Sequence, residues 1–168
     1  MSKVDEPLFD EEAEHGAVPP GGHPDLERRI RDLVQRQPYG VLCTQSRTQP
    51  YGSLVAFAFD DELEHAVFAT PVATRKYRIL SECKQVALVI DSRPDHVGDF
   101  MSVEALTATG RATLLDDEAD CEPWARLLVA RHHYLEGFVR APSSAMFRID
   151  IVRFIHVARF QEVRQWTP

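Results

Sequence analysis

Residues 51–91 read YGSLVAFAFDDELEHAVFATPVATRKYRILSECKQVALVID, and this stretch decides the fold. Two runs rich in Val, Phe and Ala, at 51–59 and 65–70, flank the acidic segment 60–64. Short apolar runs bounded by polar turn residues are typical of β-strands. The first half of the stretch therefore predicts two antiparallel strands joined by a turn.

The second half predicts a helix and then a buried strand. Proline is tolerated in the first turn of a helix, so we expect a helix from about Pro71 to Cys83, with Tyr77 and Leu80 facing inwards. The nearly all-apolar run 85–91 is typical of a strand that is covered on both faces.

The chain on either side of this stretch adds further strands. The run 39–45 leads into it through a short turn, and 104–115 predicts a long strand with Gly110 as a β-bulge. Residues 145–166 alternate between apolar and polar, which predicts two strands joined near 153–155. Six or seven mainly antiparallel strands favour a barrel, because closure removes the open edges of a sheet.

Two more segments predict peripheral helices. From Pro24 to Pro38 the apolar residues recur at helical spacing; they are Leu26, Ile30, Leu33 and Val34. Acidic residues open the segment 116–134, as they do at many helix N-termini. Pro123 lies inside that segment and predicts two helical pieces.

The charge is unevenly distributed along the chain. Residues 1–14 hold six acidic residues and one basic residue, so most of the net charge of −7 lies there, and the near-neutral remainder argues against bulk binding of nucleic acid. Residues 1–23 are not periodic, so we expect an acidic, flexible tail before one domain over 24–168. No signal peptide or membrane-spanning segment is recognisable, which predicts a cytoplasmic protein.

The cysteines and histidines do not have the spacing of a metal site. Cys43, Cys83 and Cys121 form no C-x-x-C pair. His132 and His133 are adjacent, whereas a zinc-binding pair on a helix needs histidines four residues apart. We therefore predict no metal and assign this histidine pair to the surface or to a dimer face.

Thr74, Arg75 and Lys76 form the most informative polar cluster. A helix N-terminus carries unpaired N–H groups and partial positive charge, so cations placed there are disfavoured unless an anion binds. Arginine can grip two phosphate oxygens and lysine adds a compact charge. The cluster is consistent with a phosphate site or with an ordinary basic helix face.

Residues 51–93, together with ALTATGRATLL at 105–115, resemble the pyridoxamine 5′-phosphate oxidase-related, FMN-binding split β-barrel superfamily. The resemblance covers most of residues 36–166, and its most specific part is the strand–Thr–x(3)–[Ser/Thr]–Arg–Lys–x–x–x–Leu pattern. It implies a mainly antiparallel split barrel and a homodimer with FMN in the groove between subunits.

The resemblance also implies which residues contact FMN. They are Ser53, Leu54, Val55, Ala69, Thr70, Thr74, Arg75 and Lys76. Arg75 and Lys76 would hold the 5′-phosphate with help from Thr74, and Thr70 would lie near the ribityl chain or the ring. Backbone groups of residues 53–55 would meet the pyrimidine edge of the flavin.

The chain departs from the family pattern at two places. True pyridoxamine 5′-phosphate oxidases carry a glutamine in the strand that matches residues 104–110, near Ala105, and this chain has none there. They also carry a C-terminal Arg-x-His element, whereas this chain ends in RQWTP, without that histidine. We therefore expect an FMN-dependent oxidoreductase that uses reduced nicotinamide or another electron donor on an unknown small substrate. The alternatives are a flavin-binding module without turnover and a haem-binding or haem-utilisation protein.

Three more residues are candidate contacts to the substrate or to the partner subunit. His96 lies in the polar loop 93–102, which could cover the flavin; the alternative is a plain polar loop. Arg164 and Trp166, near the C-terminus, could reach the flavin of the other subunit. Packing at the end of the barrel is the alternative for Trp166.

Overall fold

The computed structural model describes residues 24–159 and 162–168, so the predicted acidic tail lies outside the described residues. The helices of the described part are Pro24–Arg36 (α1), Arg75–Glu82 (α2), Glu118–Arg131 (α3) and Glu136–Val139 (α4). Its strands are Tyr39–Ser46 (β1), Gln49–Ala56 (β2), Ala58–Phe59 (β3), His65–Pro71 (β4), Gln85–Asp91 (β5), Ala105–Leu115 (β6), Ser144–Ala158 (β7) and Glu162–Trp166 (β8).

The strands form one antiparallel sheet that curls into a barrel. Its order is β2-β1-β5-β6-β7-β4-β3, and β8 pairs with β7 outside this path. The two ends of the order, β2 and β3, are successive parts of one chain segment separated only by Phe57. Counted as one segment, they leave seven strands, so the predicted six- or seven-stranded antiparallel barrel is confirmed.

Aromatic and aliphatic side chains fill the barrel. Phe68 and Phe147, from the neighbouring strands β4 and β7, stack with their ring centroids 5.5 Å apart, and Tyr77 of α2 meets Phe147 edge-on. Helix α1 covers one end with the four apolar residues that the sequence predicts, all of them buried. Each such side chain contributes about 1.5–3 kcal/mol when it is fully buried, so the barrel has a substantial core.

The long strand β7 corrects the predicted C-terminal hairpin. No turn occurs at 153–155: β7 runs unbroken to Ala158, and the chain turns only from Arg159, which has a φ of 47°. The register between β6 and β7 shifts at Thr109/Gly110, which leaves Val152 as an extra residue. This bulge disturbs the alternation of the sequence without ending the strand.

Two predicted helices also need correction. Helix α2 begins at Arg75 rather than near Pro71, because Pro71 is the last residue of β4 and Thr74 caps the helix. Helix α3 is a single helix that contains Pro123, where two pieces were predicted. No helix in the described ranges is long and apolar enough to cross a membrane.

Candidate functional site

A cavity of about 250 Å³ opens beside the N-terminus of α2. One wall is residues 54–56 of β2 and the opposite wall is residues 69–71 of β4, with Lys76 at one end. Leu128 of α3, together with Leu135 and Phe138, forms an apolar third side. The cavity therefore combines an apolar interior with one cationic group.

Five of the eight residues predicted to contact the cofactor line this cavity. They are Leu54, Val55, Ala69, Thr70 and Lys76. Arg75 lies just outside the lining, with its guanidinium 5.2 Å from the centroid of the Tyr51 ring. The fold thus brings segments 53–55 and 69–76 together, as the predicted set requires.

Strand β2 offers main-chain groups on its unpaired side, whereas the side chain of Ser53 points away from a ligand there. Ser53 is paired with the fully buried Leu42, so its side chain faces the barrel interior, where its Oγ has no hydrogen-bond partner. Ladders join β2 only to β1 among the described residues. Successive residues of an antiparallel strand direct their N–H and C=O groups to opposite sides. The two-residue turn 47–48 makes Ser46 and Gln49 a hydrogen-bonded pair, so Ser53 and Val55 bond to β1, and the groups of Leu54 and Ala56 are available to a ligand.

Thr74 is the N-cap of α2. Its Oγ1 accepts a hydrogen bond from the N–H of Tyr77 at 3.2 Å and donates to the carbonyl of Pro71 at 2.8 Å. Its single hydroxyl proton is then committed, so the hydroxyl of Thr70, 3.1 Å away, donates to Thr74. A phosphate contact by the Thr74 hydroxyl would compete with the bond to Pro71.

Lys76 is a half-buried cation that has no counter-ion among the described residues. Burial lowers the pKa of Lys76, and its Nζ lies 6.0 Å from the centroid of the Phe68 ring. Within residues 24–159 and 162–168, neither Lys76 nor Arg75 forms an ion pair, and nothing accepts a hydrogen bond from the N–H of either residue. Such a helix start is chemically suited to an anion.

The other predicted contacts lie away from the cavity. His96 is half-buried in the loop after β5, and its N–H donates to the carbonyl of Arg93. Arg164 faces His156 in the β7–β8 ladder. Trp166 stacks on Phe154 with 5.5 Å between ring centroids and packs against the core, in agreement with the packing alternative.

A hydrogen-bonded chain next to the cavity escaped the sequence analysis. The sequence assigns His132 to the surface or to a dimer face, but its side chain is buried, with 1% exposure. Its Nε2 lies 2.9 Å from the carbonyl oxygen of Phe57 and its Nδ1 3.2 Å from the Tyr134 hydroxyl, which is 2.8 Å from the Tyr39 hydroxyl. Burial lowers the pKa of His132. The adjacency of His132 and His133 gave no sign of this contact with Phe57.

The apolar wall from Leu128, Leu135 and Phe138 was also missed. The apolar character of these side chains is visible in the sequence, but nothing in the sequence says which strands they cover. In the structure, α3 and α4 pack beside β4 and β7 and form one side of the cavity.

A family model described as pyridoxamine 5′-phosphate oxidase matches residues 26–158 of the chain. No curated protein sequence matches this chain significantly.

Three solved structures have similar folds. A heme binding protein from Mycobacterium smegmatis has 14% identity and a TM-score of 0.75, over 88% of this chain and 60% of that chain. HutZ, the heme storage protein from Vibrio cholerae, has 18% identity and a TM-score of 0.64, over 84% and 94%. General Stress Protein 26 from Bacillus anthracis has 15% identity and a TM-score of 0.63, over 85% and 98%. The chain spans about three fifths of the length of the Mycobacterium protein, and identities at this level indicate a common fold alone.

Proposed function

The chain belongs to the pyridoxamine 5′-phosphate oxidase family, and from that premise we propose that its domain over 24–168 binds FMN in the cavity between β2, β4 and α2. The family commonly binds flavin. The residues around the cavity fit the parts of this cofactor, which has an anionic phosphate, a polar ribityl chain and a flat ring with a polar pyrimidine edge.

The observation that carries the proposal is the cation at the end of the cavity, which forms no ion pair within residues 24–159 and 162–168. Lys76 is half-buried, and removing a charge from water is costly unless a counter-charge is present. Arg75 adds a second cation at the first position of the same helix. A phosphate bound here would receive two charge-assisted contacts and the free N–H groups of the helix start.

The remaining walls suit the ribityl chain and the ring. The hydroxyl of Thr70 lies beside the helix start, and the available backbone groups of Leu54 and Ala56 can meet the donors and acceptors of the pyrimidine edge. Leu128, Leu135 and Phe138 supply apolar contact for a flat aromatic ring. Ala69 is small enough to leave the cavity open at this wall.

We further propose that a second copy of the chain completes the site. Leu54 lines the cavity and is 69% exposed, and Val72, which follows the β4 wall, is 42% exposed. Large apolar side chains at the mouth of a ligand cavity are typical of surfaces that another protein covers. Arg164 and His96, which the single chain leaves outside the cavity, remain proposed contacts across that interface.

The proposed activity is transfer of an electron pair between reduced nicotinamide, or another donor, and a small acceptor. When bound, FMN supplies the redox chemistry, and the protein supplies binding and orientation. In this chain Arg75 and Lys76 anchor the phosphate, the edge of β2 orients the ring, and the apolar wall keeps water from one side.

The test compares FMN binding by the native protein with that of Arg75→Ala, Lys76→Ala and the double variant. A charge-assisted hydrogen bond contributes about 1.5–3 kcal/mol, so each single change should weaken the Kd about 10- to 150-fold. Arg78→Ala is the matched control, because Arg78 is an exposed cation on the same helix. Unchanged FMN affinity in the double variant would overturn the proposal.

Haem binding is the second candidate, because two of the proteins with similar structures are described as a heme binding protein and a heme storage protein. Among the described residues, no histidine, cysteine or methionine lines the cavity, so none of them is placed there to bind iron. The absorption spectrum of the purified protein separates the two cofactors. Bleaching of a flavin spectrum by reduced nicotinamide then separates an oxidoreductase from a module that only binds flavin.

A further inference from the structure

Tyr39 and Tyr134 are direct neighbours of residues that line the proposed FMN cavity. Tyr39 is opposite Ala56 in the β1–β2 ladder, and residues opposite each other in a ladder point to the same face of the sheet. Ala56 lines the cavity, and so does Leu135, the neighbour of Tyr134. The two hydroxyl groups, 2.8 Å apart, therefore lie beside this part of the lining, and both tyrosines are about half exposed.

The direction of each hydrogen bond in this chain follows from its buried end. The carbonyl of Phe57 can only accept, so the Nε2 of His132 carries the proton. Burial lowers the pKa of His132, which keeps the ring neutral and its Nδ1 a bare acceptor. Tyr134 must then donate to Nδ1, and Tyr39 must donate to the oxygen of Tyr134.

Both phenolic protons consequently point inwards. The outermost atom of the chain is the oxygen of Tyr39, and it offers only lone pairs to the cavity mouth. A ligand group that meets it must be a hydrogen-bond donor.

We propose that the Tyr39 oxygen, held by Tyr134 and His132, accepts a hydrogen bond from the carboxamide amino group of a reduced nicotinamide bound beside the flavin. This inference rests on the proposed function, since it assumes FMN in the cavity. It adds a preference, because the subsite takes a ring that carries an N–H donor and discriminates against a ring that carries only an acceptor.

The experiment uses the FMN-loaded full chain and two probes, NADH and its reduced 3-acetylpyridine analogue, in which a methyl group replaces the amino group of the carboxamide. Anaerobic equilibrium dialysis gives the Kd of each probe for the native protein and for Tyr39→Phe. That change keeps the ring and removes only the hydroxyl. FMN occupancy and the unfolding midpoint are recorded for both proteins.

We expect Tyr39→Phe to weaken NADH binding about 2- to 12-fold, the effect of one hydrogen bond of about 0.5–1.5 kcal/mol. Binding of the acetylpyridine analogue should change by less than about 2-fold. This probe has no N–H group to donate to the Tyr39 oxygen, so removing the hydroxyl has little effect on its free energy of binding. Equal losses for both probes, or no loss for either, would overturn the inference while FMN occupancy stays full. A native protein that binds no FMN would overturn both the inference and the proposed function. It is recognised because its spectrum shows no flavin absorption.

Tyr134→Phe supplies an independent check on the direction of the chain. Without the Tyr134 hydroxyl, Tyr39 has no inward acceptor and its own proton is free to face the ligand. The preference for NADH over the analogue should then shrink towards that of Tyr39→Phe. A preference equal to that of the native protein would contradict the inward direction of the protons.

Discussion

Glu104, which directly precedes β6, contacts His156 of the neighbouring strand β7, with Oε2 of the carboxylate 2.9 Å from Nε2 of the imidazole. The other carboxylate oxygen accepts a hydrogen bond from Arg29 of α1 at 2.7 Å. Burial alone would raise the pKa of Glu104, but the hydrogen bonds from Arg29 and His156 outweigh it and lower that pKa. One carboxylate thus ties the first helix to the barrel.

Glu104→Gln should lower the free energy of unfolding by about 1–3 kcal/mol, because an amide presents one donor face to a site with two donors, and hydrogen bonds to charged groups are strong. Urea unfolding measures the change. Glu162→Gln is the control: its partner, Arg159, is 76% exposed, so its effect should stay within about 0.5 kcal/mol. Equal effects of the two changes would show that the Glu104 contacts add nothing to stability.

Gly110→Ala should disrupt the bulge between β6 and β7. A Cβ atom at Gly110 would lie 2.3 Å from the carbonyl oxygen of Asp150, so one of the two strands must move. Overpacking of this kind costs about 1–3 kcal/mol, and sometimes more. Gly137→Ala is the matched control, because no heavy atom lies within 4 Å of its added Cβ and alanine favours a helix. Thermal unfolding that ranks Gly110→Ala as the milder change would contradict the close approach to Asp150.

Lys76→Gln should leave the FMN-free protein as stable as the native protein, or more stable by up to about 1 kcal/mol. The charge of Lys76 is disfavoured by burial and by the positive end of the helix dipole, so its removal relieves both. Unfolding in urea without FMN checks this. Arg78→Gln, an exposed change on the same helix, should have a smaller effect. A loss above about 1 kcal/mol would mean that Lys76 supports the fold rather than a ligand.

Stability should fall in mild acid because of His132. Its pKa is lowered in the folded state, so between the ordinary histidine pKa of about 6.5 and that lowered value the unfolded chain binds more protons than the folded one. The free energy of unfolding therefore rises with pH through this window and levels off above it. Urea unfolding at a series of pH values gives the slope.

His132→Gln should reduce that slope, whereas the change at the adjacent, exposed His133 to Gln should keep it. The comparison isolates His132 from the other groups that titrate in the same range. A His132→Gln variant with the native slope would rule out burial of the neutral ring as its origin.

Local signals were sufficient for most of the fold. Helix α1 follows from four apolar residues at helical spacing, and β5 from one short apolar run. The length of β7 could not be predicted, because the extra residue Val152 interrupts the alternation that defines a strand. The predicted start of α2, near Pro71, is too early, because a proline is compatible with the last position of a strand as well as with the first turn of a helix.

For the candidate site, the sequence pointed to the segments but not to all the surfaces that meet there. Residues such as Thr70 and Lys76 belong to one continuous stretch, so their proximity follows from local structure. Tyr134 and Tyr39 are far apart in sequence, and their hydroxyl groups meet only in the folded barrel, so neither carries a local signal. His132 is likewise defined by its contact with Phe57.

The way the barrel closes has a mechanical consequence for its cavity. The strands β2 and β4 are joined by no ladder in the part of the chain described, and beyond Phe57 only the two residue pairs of β3 hold the segment to β4. The cavity is therefore a gap in the barrel wall, and it ends at Phe57, where the chain passes from β2 to β3. A flat molecule seated in that gap would become part of the wall.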